Sequence, residues 1–170
     1  ITLISNLGRI SIIPFDTMDT FFQLYGKKGY SLLQNKIKNN GLGILYNGSS
    51  IWLFNHSLST FIWFNTFKRL EKYTSNMYND NIYMKNIKNG SIGYISSIFS
   101  DIFTNPFRII KTYKQGSNNN ISYYQSFKEI TKNSRSEILF RGLTTRIITH
   151  GIQSSVFVII WKNLEEYFNI

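Results

Sequence analysis

Four stretches of the chain are apolar enough and long enough to be considered as membrane-spanning helices. They run from about Ile1 to Gln23, Ser50 to Lys68, Ser91 to Lys111 and Leu143 to Trp161. Each also contains Ser, Thr, Asn or His, which indicates helices with one polar face. A bundle around a water-filled cavity accommodates such positions, because they face the interior while apolar side chains face lipid. Hydropathy alone leaves a soluble helical protein as an equal alternative.

Amphipathic segments follow the first and third of these stretches, at Tyr30 to Lys38 and at Tyr123 to Lys132. In the second segment Tyr124, Phe127, Ile130 and Thr131 recur at helical spacing, which predicts a helix lying on an interface. Residues 73–89 are rich in Asn, Lys and Tyr, and this composition predicts a solvated linker.

The chain also repeats itself at a spacing of a little over ninety residues. Pro14 and Gln23 recur as Pro106 and Gln115. The landmarks Asn47-Gly48, His56, Lys68 and Glu71 recur in the same order as Arg141-Gly142, His150, Lys162 and Glu165. A long repeat indicates a duplicated structural unit. We therefore predict two repeats, residues 1–72 and 90–170, each with a span, a surface helix and a second span.

Composition narrows the classes of function. The net charge of +10 suits nucleic acid, an anionic membrane surface or an anionic solute. Cysteine is absent, which excludes disulfides and thiolate metal sites. A basic nucleic-acid binder would explain the charge but not the repeated prolines, glycines and spans, so we expect no nucleic-acid partner. The sequence shows no carboxylate dyad, metal cluster or activated nucleophile, and we expect neither an enzyme nor a cofactor.

Two motifs in the second repeat are specific. The run from Thr104 to Gln115 reads TNPFRIIKTYKQ, and the run from Leu139 to Arg146 reads LFRGLTTR. They resemble the mitochondrial carrier family, whose odd helices carry Pro-x-Asp/Glu-x-x-Lys/Arg with a Gln nine residues after the Pro, and whose even helices open with an aromatic residue, a basic residue and Gly. The first repeat matches more loosely, through Pro14 to Asp19 and through Leu45 to Gly48.

The resemblance implies an all-α membrane protein of the mitochondrial inner membrane. The family builds a barrel of six transmembrane helices from three repeats, and this chain supplies four helices in two repeats. We expect a further repeat before Ile1. Pro14 and Pro106 are expected to kink the odd helices. Gly93 and Ser97 form a face of small residues on which a neighbouring helix can approach closely.

The resemblance also implies two rings of ion pairs that close the carrier alternately. On the matrix side Asp16 and Lys111 fit one link, with Gln23 and Gln115 as braces. Asp19 and Arg108 have the opposite sign to the family pattern, which predicts a charge-inverted partner repeat. On the intermembrane side the signs are reversed at four positions, and Glu71 is expected to pair with Lys162. These reversed positions are Lys68, Glu71, Lys162 and Glu165. An exposed pair on one helix end is the alternative.

The solute-contact region of the family falls here on Asn55, His56, Thr149 and His150. An ionisable residue at mid-span favours a functional role, although a histidine bonded to a neighbouring carbonyl or hydroxyl is the alternative. These positions hold no arginine, which favours a neutral or weakly charged solute. The even-helix N-termini at Gly48 and Gly142, with Arg141, are expected to bind lipid phosphate, in particular that of cardiolipin.

The leading hypothesis is therefore an inner-membrane carrier that moves a small solute by alternating access. The alternative is a non-transporting carrier-like protein that acts as a structural or lipid-binding subunit, with other subunits of a membrane complex as partners.

Overall fold

A computed structural model describes residues 11–75, 81–117, 121–133 and 140–168, and these contain no β-strand. Short 3-10 segments lie at Gly26–Lys28 and Leu42–Tyr46. The α-helices of the described ranges are α1 (Ile13–Tyr25), α2 (Gly29–Asn40), α3 (Ser49–Tyr73), α4 (Ile82–Gly116), α5 (Tyr123–Asn133) and α6 (Leu143–Tyr167).

The helices lie close to the predicted elements. Both amphipathic segments are helical, as α2 and α5. Helix α4 begins at Ile82, inside the stretch that we predicted as linker and nine residues before the predicted start of the span at Ser91. The first predicted span is described only from residue 11 onwards. Among the described helices, α6 is the one whose length and apolar composition satisfy the requirements for crossing a membrane.

The two prolines occupy different positions in their helices. Pro14 lies in the first turn of α1, where a backbone N–H would have no partner within the helix. The prediction that Pro14 kinks its helix is therefore wrong for the described residues, because it removes no bond from α1. Pro106 lies inside α4 and leaves one carbonyl of the preceding turn without its helical donor. A kink at Pro106 stays a prediction.

The chain divides into two compact units. Unit 1 consists of residues 1–57 and 106–138, and unit 2 of residues 58–105 and 139–170. The division cuts through α3 after Ser57 and through α4 before Pro106, so both helices contribute to both units. The predicted repeats 1–72 and 90–170 remain a prediction.

In unit 1 a small apolar core forms between α4 and α5, from Ile109, Ile110 and Ile130. The buried face of α5 also contains Ser126, whose side chain has no exposed surface. Tyr124 and Phe127, which we predicted on the apolar face, are exposed. A small hydroxyl that bonds its own backbone fits closely against a neighbouring helix, and here Ser126 Oγ donates to the carbonyl of Ser122 at 3.0 Å.

The C-terminus of α4 is held by side chains from α1 and α2, also within unit 1. The Tyr25 hydroxyl donates to the carbonyl of Gly116 at 2.5 Å. The Lys36 ammonium donates to the carbonyls of Gln115 and Ser117 at 3.3 and 2.6 Å. Burial of this ammonium lowers the pKa of Lys36 from its usual 10.5. These bonds satisfy carbonyls that a helix end leaves without helical partners.

In unit 2 the core consists of Phe67, Ile92 and Val158, with Trp63 and Trp161 packed against it. Helices α4 and α6 approach closely at Gly93, where a Cβ atom would lie 2.7 Å from the carbonyl oxygen of Ser154. The Ser154 hydroxyl donates to the Gly93 carbonyl at 2.8 Å and accepts from Trp63 Nε1 at 2.8 Å. The predicted close approach of a helix at Gly93 is confirmed.

Candidate functional site

An ion pair joins α1 to α4 in unit 1. The Lys111 ammonium donates to Asp16 Oδ2, and Lys111 is 7% exposed. One turn further along α4, Gln115 Nε2 donates to Thr17 Oγ1 at 3.1 Å and to the carbonyl of Asn47 at 2.9 Å. The structure thus brings Asp16 and Lys111 together, with Gln115 beside the pair. Thr17 in turn donates to the carbonyl of Leu45 at 2.7 Å, which ties α1 to the segment before α3.

The other residues predicted for the matrix-side ring lie on the same two helices. Asp19 and Gln23 are exposed on α1, and Arg108 is half-buried on α4. Gln115 bonds to Thr17 and Asn47 rather than to Asp16 or Lys111, so a bracing role for Gln23 and Gln115 stays a prediction. Asp19 and Arg108 are predicted to pair with a charge-inverted repeat before Ile1, and this stays a prediction.

A second ion pair joins α3 to α6 in unit 2. The Lys162 ammonium lies 2.5 Å from Glu71 Oε1 and 2.8 Å from Glu165 Oε2. Both alternatives considered for these positions therefore occur together, because Lys162 contacts a carboxylate of another helix and one on its own helix. Phe67 and Trp161 lie beneath the ammonium, with ring centroids at 5.9 and 5.5 Å. Lys68 is exposed on α3.

A buried cluster of charged groups lies between α4 and α6 in unit 2. Asp101 is 1% exposed, and its Oδ1 accepts from Arg146 Nε at 2.6 Å. His150 Nδ1 lies 3.1 Å from the same oxygen. The second oxygen, Oδ2, is buried and has no hydrogen-bond partner within the described ranges. Of the predicted solute contacts His150 thus belongs to a cluster, whereas Thr149 is exposed and its hydroxyl donates to backbone carbonyls of its own helix.

Sequence reasoning missed Asp101 and Arg146. The four predicted contact positions hold no arginine, but Arg146 lies one helical turn before His150 and bonds to the same carboxylate. A signal was present, since Thr145, Arg146, Thr149, His150 and Gln153 recur at helical spacing on one face of α6. Next to Asp101, Ser100 bonds to Ser59 of α3 through their hydroxyls at 2.7 Å. Three helices thus meet through polar side chains in unit 2.

The other two predicted contacts lie on α3 in unit 1. His56 stacks on Trp52, with ring centroids 5.8 Å apart. Asn55 has a buried Oδ1 without a hydrogen-bond partner in the described part of the chain.

The predicted lipid-binding glycines differ in their surroundings. Gly142 precedes α6 in the left-handed conformation, with φ of 67°, and it is exposed together with Arg141. Gly48 is buried, and a Cβ atom there would lie 3.4 Å from Lys111 Cγ and 3.5 Å from Gln115 Nε2. Gly48 therefore lies against the ion-pair site of unit 1, where a Cβ atom would be in ordinary van der Waals contact with both residues. No group of three metal-ligating side chains lies together in the ranges that the structure describes.

The described elements define an all-helical protein in which ion pairs and a buried charged cluster join different helices. The family model for the mitochondrial carrier protein matches residues 83–170, which is more than half of the chain. The chain belongs to the mitochondrial carrier family. At the level of the family this makes it a transporter-type protein of the mitochondrial inner membrane, with a small-molecule solute and membrane lipids as partners. No curated protein and no solved structure matches the chain.

Proposed function

We propose that this protein is a multi-pass carrier of the mitochondrial inner membrane, which moves a small solute by alternating access and catalyses no chemical reaction. In this proposal α1, α3, α4 and α6 cross the membrane, and α2 and α5 lie at its surface. Arg141 and Gly142 at the start of α6 hold a lipid phosphate, in particular that of cardiolipin.

The observation that carries the proposal is the distribution of side chains on α4. Between Ile95 and Asn105 its buried positions are polar, whereas its apolar positions are exposed except for Ile98, which is partly exposed. The buried set is Ser96, Ser97, Ser100, Asp101, Thr104 and Asn105, and the exposed set is Ile95, Phe99, Ile102 and Phe103. A helix with polar side chains inside and apolar side chains outside suits lipid surroundings, where every buried polar group needs a partner within the protein.

Helix α6 supports the same conclusion. Ile148, Ile152, Val156 and Ile160 recur every four residues and are each about half exposed. Such a stripe would be costly in water and is favourable against lipid. Gly151 is buried on the opposite side, where the ring of Tyr94 lies 2.4 Å from the site of a Cβ atom. Close packing on small residues is typical of helix pairs in membranes.

The ion pairs support alternating access. Asp16–Lys111 joins α1 to α4 in unit 1, and Glu71–Lys162 joins α3 to α6 in unit 2. The Glu71 side chain is 43% exposed, and an ion pair that water reaches contributes only about 0 to 1 kcal/mol, so the Glu71–Lys162 pair is weak enough to break and re-form in every cycle. We propose that Glu71–Lys162 closes the intermembrane side and Asp16–Lys111 the matrix side.

Solute exchange into liposomes by the purified full-length protein tests the proposal. We expect exchange of at least one solute from a broad metabolite panel, and Glu71→Gln and Lys162→Gln each change its rate by up to about fivefold. The double variant should change the rate no more than Lys162→Gln alone, because Lys162→Gln already removes the contact with Glu71 as well as that with Glu165.

The pair Lys85–Glu166 provides a matched control, because it also joins two helices of unit 2 but is not a proposed gate. Neutralising both of its members should leave the exchange rate unaltered. If the panel gives no exchange and the protein co-purifies stably with other membrane subunits, the carrier proposal fails and the non-transporting structural or lipid-binding role is supported.

A further inference from the structure

We propose that Asp101, Arg146 and His150 bind a small zwitterionic solute of the α-amino-acid class. The inference rests on the proposed carrier function and names the class of solute that the carrier would accept. It depends on two charged groups in direct contact, each of which has unused hydrogen-bonding capacity.

The site has both unused hydrogen-bond donors and an unused acceptor. Arg146 uses Nε for Asp101, and its two terminal nitrogens donate to no residue of the described ranges. Asp101 uses Oδ1 twice, while Oδ2 is buried and accepts no bond from the described chain. A buried carboxylate oxygen without a donor is unfavourable. The site therefore offers donors for an anionic group and, beside them, an acceptor for a cationic N–H group.

The charges of the site disfavour binding of both simple anions and simple cations. Asp101 and Arg146 cancel each other, so a solute of zero net charge leaves the buried site neutral. A simple anion bound to Arg146 would lie close to the Asp101 carboxylate, and a simple cation on Asp101 would lie close to the guanidinium. Only a solute that carries both charges satisfies both residues. The two groups are in contact at 2.6 Å, so the charges of the solute must also lie close together, as they do in an α-amino acid.

Access to the carboxylate leads past His150. Its side chain is 43% exposed, whereas that of Asp101 is 2% exposed and that of Arg146 is 18% exposed. The contact of His150 with Asp101, at 3.1 Å, is also longer than that of Arg146. A change of the His150 rotamer opens the carboxylate to the ammonium group of the solute, while the solute carboxylate binds the free end of Arg146. His150 is therefore the movable member of the site.

The test measures the melting temperature of the purified full-length protein with each of the twenty protein amino acids. At least one should raise it. The best amino acid is then compared with three probes: its analogue without the amino group, its analogue without the carboxyl group, and an ω-amino acid with separated charges. We expect each probe to bind at least about tenfold more weakly, since it lacks one charge-assisted contact or cannot make both.

Two variants and a matched control separate recognition from folding. Asp101→Asn should weaken binding of the amino acid about tenfold or more. It should strengthen binding of the deaminated analogue, because that anion no longer lies beside a carboxylate. The double variant Asp101→Asn with Arg146→Gln replaces the ion pair by neutral groups that still hydrogen-bond, so the fold persists while amino-acid binding is lost. Glu166→Gln neutralises another carboxylate paired between α4 and α6, and it should leave binding unaltered.

Three outcomes would overturn the inference. No amino acid stabilises the protein although other solutes are exchanged; simple anions bind as tightly as amino acids; or the folded double variant still binds. In each of these cases the carrier proposal stands. If no solute of any class is bound or exchanged, the carrier proposal itself fails and this inference with it.

Discussion

The close contact of α4 and α6 at Gly93 predicts a specific sensitivity to one methyl group. We expect Gly93→Ala to destabilise the protein although alanine favours helices. The added Cβ would lie 2.7 Å from the Ser154 carbonyl oxygen and 2.9 Å from Val158 Cγ2. The nearest atom belongs to the backbone, so no side-chain rotation relieves the contact and the two helices must move apart.

The magnitude follows from three terms. Overpacking of a close contact costs about 1 to 3 kcal/mol. Separation of the helices weakens the hydrogen bonds of Ser154 to Gly93 and to Trp63, each worth about 1 kcal/mol. The helical preference of alanine over glycine offsets about 1 kcal/mol of this loss. The net destabilisation is therefore about 1 to 3 kcal/mol, which corresponds to roughly 2 to 4 °C in melting temperature per kcal/mol.

The assay is thermal unfolding of the full-length protein in detergent, followed by tryptophan fluorescence at a fixed scan rate. Trp63 is a suitable reporter, because its indole N–H bonds to Ser154 at this contact. Gly43→Ala is the matched control, since a Cβ atom there would have no neighbour within 4 Å. If both variants melt within 1 °C of each other, α4 and α6 do not approach as described.

Two further predictions concern unit 1. Gln115→Ala should lower the free energy of unfolding by about 1 to 3 kcal/mol, because Thr17 and a backbone carbonyl lose their donor. The control Gln23→Ala, on the exposed face of α1, should change it by less than about 0.5 kcal/mol. Equal chemical-denaturation midpoints for the two variants would contradict this prediction. The lowered pKa of Lys36 means that the folded state releases this proton at a lower pH than the unfolded chain does. As the pH rises towards 10.5, the stability of the native chain should therefore increase relative to that of Lys36→Met, and a pH-independent difference in melting temperature would refute the assignment.

Part of this structure could be predicted from the sequence because its signal is local or repeated. The period of apolar residues located α2 and α5, and the resemblance to the mitochondrial carrier family paired Asp16 with Lys111 and Glu71 with Lys162. The buried face of α5 could not be predicted from apolar residues alone, since a small residue, Ser126, packs there without exposed surface.

The charged cluster escaped prediction for a related reason. Asp101 has no acidic counterpart in the first repeat, where Arg9 stands ninety-two residues earlier, so a comparison of the repeats gave no weight to it. The role of Asp101 depends on Arg146, which lies on another helix, and only the three-dimensional structure shows that the two side chains are paired. The hydrogen bonds of Lys36 to the C-terminus of α4 could not be predicted either, because their acceptors are backbone carbonyls, which every residue carries.

The Lys162 ammonium is shared by Glu71 and Glu165, and this arrangement affects how fast the proposed intermembrane-side gate opens. Glu165 lies three residues further along the same helix, so it travels with Lys162 whenever α6 moves. In the proposed opening step Glu71 departs with α3, and the ammonium keeps Glu165 as its counter-ion. The barrier to opening is then the difference between two partners and one, which is smaller than the cost of losing the only partner. Under this proposal Glu165 keeps the charge of Lys162 paired throughout the cycle and makes the gate quick to open.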